Sequence, residues 1–369
     1  MKILILVHNL TGGGGERVAS LWATGFVERG YEVGMVLNSK RSTPITFSVP
    51  DAVKIYNLRG NNQVAWVANK MYRRLHIDYY YTRRLKTVLQ DFQPDVAIGV
   101  LQPWAEWTRK ASKGMNIKII NTEHNSFERP ESAPMTSQMR KQKFEWNNRY
   151  EHVTVLTKAD MDVVANRLNN VTVLPNPLTF EPVAAPHKKE KVILAVGRLN
   201  AGHYKGFDVL IKAFGMTNND WILQIAGAGH PESVAKYRTL ADECGVGNRV
   251  QFLGFIANLI PIYQRASIFV LSSRYEGFGM VLIEAMSQGC APIACDYKGR
   301  QREIITSDEE GIICPVDDVG ALAKAIDRMI EDDEYRHQTQ RNAIERSKYY
   351  SLDNIMDRWE EIFREMKLQ

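Results

Sequence analysis

Ser267-Ile268-Phe269-Val270-Leu271-Ser272-Ser273-Arg274-Tyr275-Glu276-Gly277-Phe278-Gly279-Met280-Val281-Leu282-Ile283-Glu284-Ala285-Met286 is the stretch that decides the fold. Ile268 to Leu271, after Ser267, form an unbroken apolar run, the pattern of a strand buried on both faces. Met280 to Gln288 reads as a helix, so Glu276 falls in a loop at a strand's carboxyl end, where open α/β sheets bind ligands. Gly277 and Gly279 carry no side chains where the helix begins. The free N–H groups and positive dipole end of that helix can therefore face an anion. Glu284 adds a second carboxylate one to two turns further on. An acid beside an anion site suits a molecule carrying both hydroxyls and phosphates, and a nucleotide-sugar fits. The alternative is a loop acid at Glu276 and a solvated helix face at Glu284.

Outward from this segment, apolar strand-like runs alternate with longer helical patterns, which predicts parallel sheets built from βαβ units. The first half predicts strands at residues 2–7, 32–37, 96–100, 118–121 and 152–156. The second half predicts strands at 192–196, 222–226, 250–252, 268–271 and 291–294. Leu174-Pro175-Asn176-Pro177, then Glu181-Pro182, break regular pairing between the two sets and mark a connection. A chain of 369 residues exceeds what one core normally organises, so two domains are expected. The expected division is 1–177, a linker over 178–190, a second domain over 191–350, and a final amphipathic helix within 351–369. Leu352, Ile355, Met356, Trp359, Ile362, Phe363 and Met366 give that helix its apolar stripe.

Composition narrows the function classes. The hydrophobic share of 44% and charged share of 24% are those of a globular protein. A net charge of +5 suits anionic substrates or a membrane surface and does not call for nucleic acid. MKILILVHNL holds too short an apolar run for a secretory or membrane segment and reads as a first strand. The four cysteines, Cys244, Cys290, Cys295 and Cys314, lack zinc spacing, so reduced core thiols in the cytoplasm are expected.

Thr11-Gly12-Gly13-Gly14-Gly15-Glu16-Arg17 follows the first strand and precedes a helical pattern from Val18 to Arg29. Such a loop can bring its backbone close to a ligand, or can be simply a tight turn. A dinucleotide fingerprint is disfavoured. Counted from Gly12, the third glycine position is Arg17, and Leu37-Asn38-Ser39-Lys40 offers no acid for a ribose. A further strand ends in Val196-Gly197-Arg198-Leu199, and Lys205-Gly206 opens the next helix.

The glutamate pair resembles the Glu-x7-Glu signature of retaining glycosyltransferases of the GT-B architecture, specifically their large fourth family, the glycosyl transferases group 1. The Gly-Gly run before Glu-Arg-Val, the Gly-Arg-Leu…Lys-Gly element and Gly299-Arg300-Gln301-Arg302-Glu303-Ile304-Ile305 are similar to family elements as well. The resemblance spans nearly the whole chain and is most specific between Arg198 and Glu303. It implies two facing Rossmann-like domains with an interdomain cleft, and a last helix that crosses back onto the first domain, where spacing alone equally allows it to cover only its own. It also implies that Glu276 meets sugar hydroxyls, Glu284 the ribose, and Arg198 with Lys205 the donor diphosphate. Gly14, Gly15, Gly277, Phe278 and Gly279 then line the donor. His124, in Asn121-Thr122-Glu123-His124-Asn125, stands where relatives often have a histidine touching the donor sugar. His203-Tyr204 immediately before Lys205 departs from the usual loop. Two fixed cations stabilise the departing diphosphate, so neither a metal nor a cofactor is expected. Asp160-Met161-Asp162 has the spacing of a metal motif but reads as a helix start.

Retention is implied by the resemblance alone. Asp95 and Glu123 are weak candidates for a nucleophile, so front-face attack is favoured. Glycosyl transfer from a UDP-sugar to a lipid-linked or glycan acceptor is the expected reaction. A nucleotide-sugar epimerase of similar architecture and a nonenzymatic nucleotide-sugar-binding protein are the alternatives. A phosphorylase would need a pyridoxal-phosphate lysine and a longer chain. Residues 66–86 interleave Trp66, Tyr72, Tyr79, Tyr80 and Tyr81 with Lys70, Arg73, Arg74, Arg83, Arg84 and Lys86, a pattern that suits anionic lipid at the inner face of the membrane. Leu85, Val88, Leu89 and Phe92 alternatively make this an ordinary buried helical face. Trp104 and Trp107 either line an acceptor groove or fill core.

Overall fold

A computed structural model of the chain describes residues 1–39, 45–59, 79–130, 134–200, 202–218 and 220–368. They form two compact units, Met1–Thr179 with Leu352–Gln369, and Phe180–Ser351. The division falls within the proline-rich connection, between Pro177 and Pro182, and residues 180–190 belong to the second unit.

The first unit is built on a seven-stranded parallel sheet of order β3-β2-β1-β4-β5-β6-β7. Its strands are β1 (Lys2–Val7), β2 (Glu32–Leu37), β3 (Lys54–Asn57), β4 (Val96–Val100), β5 (Lys118–Thr122), β6 (His152–Val155) and β7 (Val171–Val173). β1 pairs with β2 on one side and β4 on the other, so the chain changes direction of winding at β1/β4. Helix α1 (Gly14–Glu28) begins four residues earlier than the Val18 expected from the sequence. Gly14 and Gly15 are thus the first turn of the helix and not a loop ahead of it. A Cβ on Gly15 would stand 3.5 Å from Val100, so the turn lies close against the end of β4.

Helix α2 covers 79–92, and α3 spans Trp104–Ala111. On α2, Tyr80, Tyr81, Leu85, Val88, Leu89 and Phe92 are buried and pack with Trp104 and Trp107. Tyr81 stacks on Trp107 at 4.3 Å. The two tryptophans therefore fill core and do not line a groove, and most of the aromatic content expected at a lipid surface over 79–86 is interior. Tyr79, Arg83 and Lys86 remain exposed. Residues 66–78, the rest of that stretch, lie outside the described residues. Among the described residues no helix is long and apolar enough to cross a membrane.

The short helix α4 (Ser137–Arg140) and α5 (Lys158–Val164) complete the unit's central part. Asp160 does not face solvent as a metal ligand would. It is buried, accepts hydrogen bonds from Phe127 N at 2.8 Å and Thr157 Oγ1 at 2.9 Å, and shares a capping arrangement with Thr157.

The second unit carries a six-stranded parallel sheet of order β10-β9-β8-β11-β12-β13. It comprises β8 (Glu190–Val196), β9 (Ile222–Ala226), β10 (Val250–Gly254), β11 (Ala266–Leu271), β12 (Ala291–Cys295) and β13 (Ile312–Cys314). Around it lie α6 (Phe207–Gly215), α7 (Pro231–Glu243), α8 (Ile260–Arg265), α9 (Met280–Ser287), α10 (Val319–Glu331) and α11 (Asp333–Ser347). β8 is flanked by β9 and β11, which makes β8/β11 the switch point of this sheet. Cys290, Cys295 and Cys314 are buried free thiols, and burial pushes Cys295 up to about 12.

The last helix, α12 (Leu352–Glu365), belongs to the first unit and packs on α1. Its Trp359 meets Trp22 edge-on at 5.1 Å, and Phe363 lies 5.7 Å from Phe26. Arg29, just past α1, reaches Asp357 at 2.7 Å and Glu360 at 3.2 Å. The stripe read from spacing is buried almost entirely, with Trp359 and Phe363 fully excluded from water.

Candidate active site

The loops after β8 and β11 leave the sheet side by side at its switch point, the position at which open α/β sheets hold ligands. Lys205 comes from the first loop and Glu276 from the second. Lys205 Nζ donates to Glu276 Oε1 at 2.5 Å, and Ser273 Oγ donates to the same oxygen at 2.8 Å. Both charges are largely withdrawn from water, at 23% and 12% side-chain exposure, so the pair is not a solvated surface contact.

Three successive carbonyls of the Lys205 loop are held by the segment leading to Glu276. His203 O accepts from the Arg274 guanidinium at 2.7 Å, Tyr204 O from Arg274 N at 2.7 Å, and Lys205 O from Ser272 Oγ at 2.9 Å. Gly206 makes this possible. Its φ is +62°, and a Cβ there would stand 1.9 Å from Ser272 O, so no other residue fits without moving backbone. The atypical His203-Tyr204 pair thus serves the loop through its carbonyls.

Gly279 caps α9 with a left-handed φ of +102°, which turns the chain into the helix directly after Glu276. Phe278 does not offer its ring to a ligand. The ring is buried and packs on Tyr350 at 5.5 Å, leaving only backbone at that position. Tyr350 and Arg346 in turn donate to the carbonyls of Glu303 and Ile304, which ties the Gly299–Ile305 element to the same wall. Arg300 is fully buried beside Tyr297, and Arg302 pairs with Asp296 at 2.8 Å. Both arginines are thus engaged within this element.

Glu284 is not on a solvated face. It is 3% exposed on α9, and its Oε2 accepts a hydrogen bond from the Tyr263 hydroxyl at 3.1 Å. Arg198 is exposed and makes no hydrogen bond or ion pair among the described residues. It stands at the carboxyl end of β8.

Gly14, Gly15 and His124 belong to the first unit. They follow β1 and β5, again at strand carboxyl ends. His124 Nε2 lies 3.0 Å from Thr122 Oγ1, and its ring sits 5.6 Å from Trp22. Burial lowers its pKa to about 4, with Glu123 opposing the shift, so the imidazole is neutral at pH 7. Glu123 is committed elsewhere. Its Oε2 takes Lys143 Nζ at 2.8 Å, and its Oε1 takes Asn121 and Asn147, each at 3.1 Å. Asp95 precedes β4, at the opposite end of the sheet, and accepts from Lys2 N at 2.7 Å. Neither carboxylate is free to act as a nucleophile.

Ser272, Ser273, Arg274 and Asp208, none of them a site candidate from the sequence, hold Lys205 and Glu276 in register. The signal lay within the opening stretch, where Ser-Ser-Arg directly precedes Tyr275-Glu276.

Two family models match the chain in series. The model described as Glycosyltransferase Family 4 matches residues 12–181, and that described as Glycosyl transferases group 1 matches residues 179–346. The chain belongs to the group 1 glycosyltransferases. This glycosyltransferase is 27% identical to one from Haemophilus influenzae over 98% of this chain and 99% of the relative. It is 23% identical, over 100% of this chain and 99% of the relative, to a Campylobacter jejuni α-1,4-N-acetyl-D-galactosaminyltransferase named for a GalNAc-terminated, diphospho-undecaprenol-linked glycan. Among solved structures, sucrose-phosphate synthase of Thermosynechococcus elongatus has a TM-score of 0.80 at 19% identity, covering 100% of this chain and 99% of that one. Anabaena HepE in complex with UDP and glucose has a TM-score of 0.79 at 18% identity, covering 99% and 100%. At such identities the likeness establishes the fold, two Rossmann-like units with parallel sheets of the GT-B class.

Proposed function

We propose that this glycosyltransferase is a retaining, metal-independent hexosyltransferase. It moves a hexose or N-acetylhexosamine from a UDP-sugar to a lipid-linked or glycan acceptor in cell-surface polysaccharide or glycolipid biosynthesis. The observation that carries this reading is the Lys205–Glu276 pair, held at 2.5 Å at the switch point of the second sheet. Lys205 and Glu276 neutralise each other's charge. A nucleotide-sugar offers each a partner, its diphosphate to Lys205 and its sugar hydroxyls to Glu276.

Arg198 supplies the second cation, the N–H groups from Gly277 to Gly279 meet a phosphate oxygen, and Glu284 beside Tyr263 receives the ribose hydroxyls. Neutral His124 orients a sugar hydroxyl, with Gly14 and Gly15 giving the donor room. The acceptor hydroxyl oxygen bonds to the anomeric carbon on the face from which the diphosphate leaves. The bond from that carbon to the β-phosphate oxygen breaks, and that oxygen takes the acceptor's proton. The engagement of Glu123 and Asp95 in other bonds supports this front-face course over a covalent intermediate. The polyprenyl-linked acceptor of the Campylobacter relative and the UDP in the Anabaena structure support the donor and acceptor classes. On this reading the reaction runs in the cytoplasm, at the inner face of the membrane.

A panel of nucleotide-sugars tests the reading by thermal shift and donor hydrolysis, with wild type beside Glu276→Ala. Ligand linkage stabilises the wild type with one donor at saturating concentration by about 3 kcal/mol, and the variant loses most of that shift and the hydrolysis. An equal response from both proteins removes Glu276 from the site.

A further inference from the structure

We propose that Arg274 is a positioning residue for Lys205, fixing where its ammonium meets the donor without itself touching the donor. The guanidinium closes on both sides of the Lys205 loop. On one side it donates to His203 O at 2.7 Å. On the other it makes a two-pronged contact with Asp208, 2.7 Å to each carboxylate oxygen, in the first turn of α6. Lys205 and Gly206 lie between these two anchors. Its Nε donates to Asp317 in the turn after β13, which ties the clamp to a third loop.

The charge balance separates positioning from phosphate binding. One guanidinium faces two carboxylates, Asp208 and Asp317, so the cluster has no surplus positive charge to offer a diphosphate. Lys205, by contrast, has a single carboxylate partner among the described residues, and it is the one a sugar can replace. Arg274 also stands two residues before Glu276, and its own N–H holds Tyr204 O. One residue therefore sets the spacing between the cation and the acid. The planar fork makes this possible, since a lysine has neither the geometry nor the number of fixed donors to bind Asp208, Asp317 and His203 O together.

This inference rests on the reading that Lys205 holds the donor diphosphate, and a double-mutant cycle separates the two. UDP binding is measured by calorimetry for wild type, Arg274→Gln, Lys205→Ala and the double variant, with Arg274→Lys alongside. Arg274→Gln weakens UDP about tenfold in the wild-type background and less than about twofold once Lys205 is gone, the mark of one residue acting through another. Arg274→Lys behaves like Arg274→Gln, because the fork and not the charge is what acts. An equal loss in both backgrounds, or no loss in either, overturns the role of Arg274 while leaving the site intact. Unchanged UDP affinity in Lys205→Ala overturns the site reading and this inference with it. If Arg274→Gln does not fold, the same cycle is run with Asp317→Asn, and the same outcomes decide.

Discussion

His124 and His152 show what burial does to a single side chain. His152, on β6, is 5% exposed, with Nε2 3.0 Å from Thr172 Oγ1, and burial lowers its pKa to about 4 from 6.5. His124 is lowered to about 4 for the same first reason. Between these values and 6.5 the unfolded chain binds protons that the folded protein refuses. Stability is therefore greatest above about pH 6.5 and falls as the pH drops towards 4, by at most about 1.4 kcal/mol per unit for each histidine. Urea midpoints between pH 7.5 and 5 measure this slope, and His152→Gln makes it shallower. A flat profile across that range contradicts the burial of both rings. The same neutrality fits His124 for orienting a hydroxyl and not for supplying charge.

At the scale of elements, the strands most easily read from sequence are those with apolar residues on both faces. β1, β2, β4 and β11 are buried from their second residue onward or throughout, and each appears as a largely apolar run. β3, β7 and β13 were not legible. Lys-Ile-Tyr-Asn, Val-Thr-Val and Ile-Ile-Cys are three- or four-residue edge strands, and pairing with one neighbour, not apolar content, makes them strands. Helix α2 shows the converse difficulty, since its aromatics and cations read equally as a lipid face or as a core face with a charged back. The buried side took Tyr80 and Tyr81, and Tyr79, Arg83 and Lys86 remain outside. Lipid contact through those three is weakened by the paired substitution Arg83→Glu and Lys86→Glu. Each cation is worth about 1 kcal/mol at an anionic surface, so sedimentation with phosphatidylserine vesicles should show at least a tenfold loss of binding. Unchanged partitioning would remove this face from the membrane.

For the whole molecule, two parallel sheets each turn their loops out at a switch point, and the residues singled out by sequence stand at the carboxyl ends of β1, β5, β8 and β11. Lys205, Glu276 and the helix start at Gly279 were legible because their chemistry is local: a cation before a glycine, an acid before a glycine-flanked turn. Arg274 was not, because its role depends on His203 and Asp208 from the β8–α6 connection and on Asp317 from the turn after β13. Glu284 was read as a ligand for hydroxyls or as a solvated acid, and its burial beside Tyr263 rules out the second. The central claim is that a donor's diphosphate takes over Lys205 while its sugar takes over Glu276. A crystal structure of the protein with UDP and an intact or non-transferable UDP-sugar measures this most directly. The account predicts phosphate oxygens within hydrogen-bond distance of Lys205 Nζ and the N–H groups of Gly277 to Gly279, with sugar hydroxyls on Glu276. A nucleotide bound elsewhere, with the Lys205–Glu276 pair still closed, would contradict it.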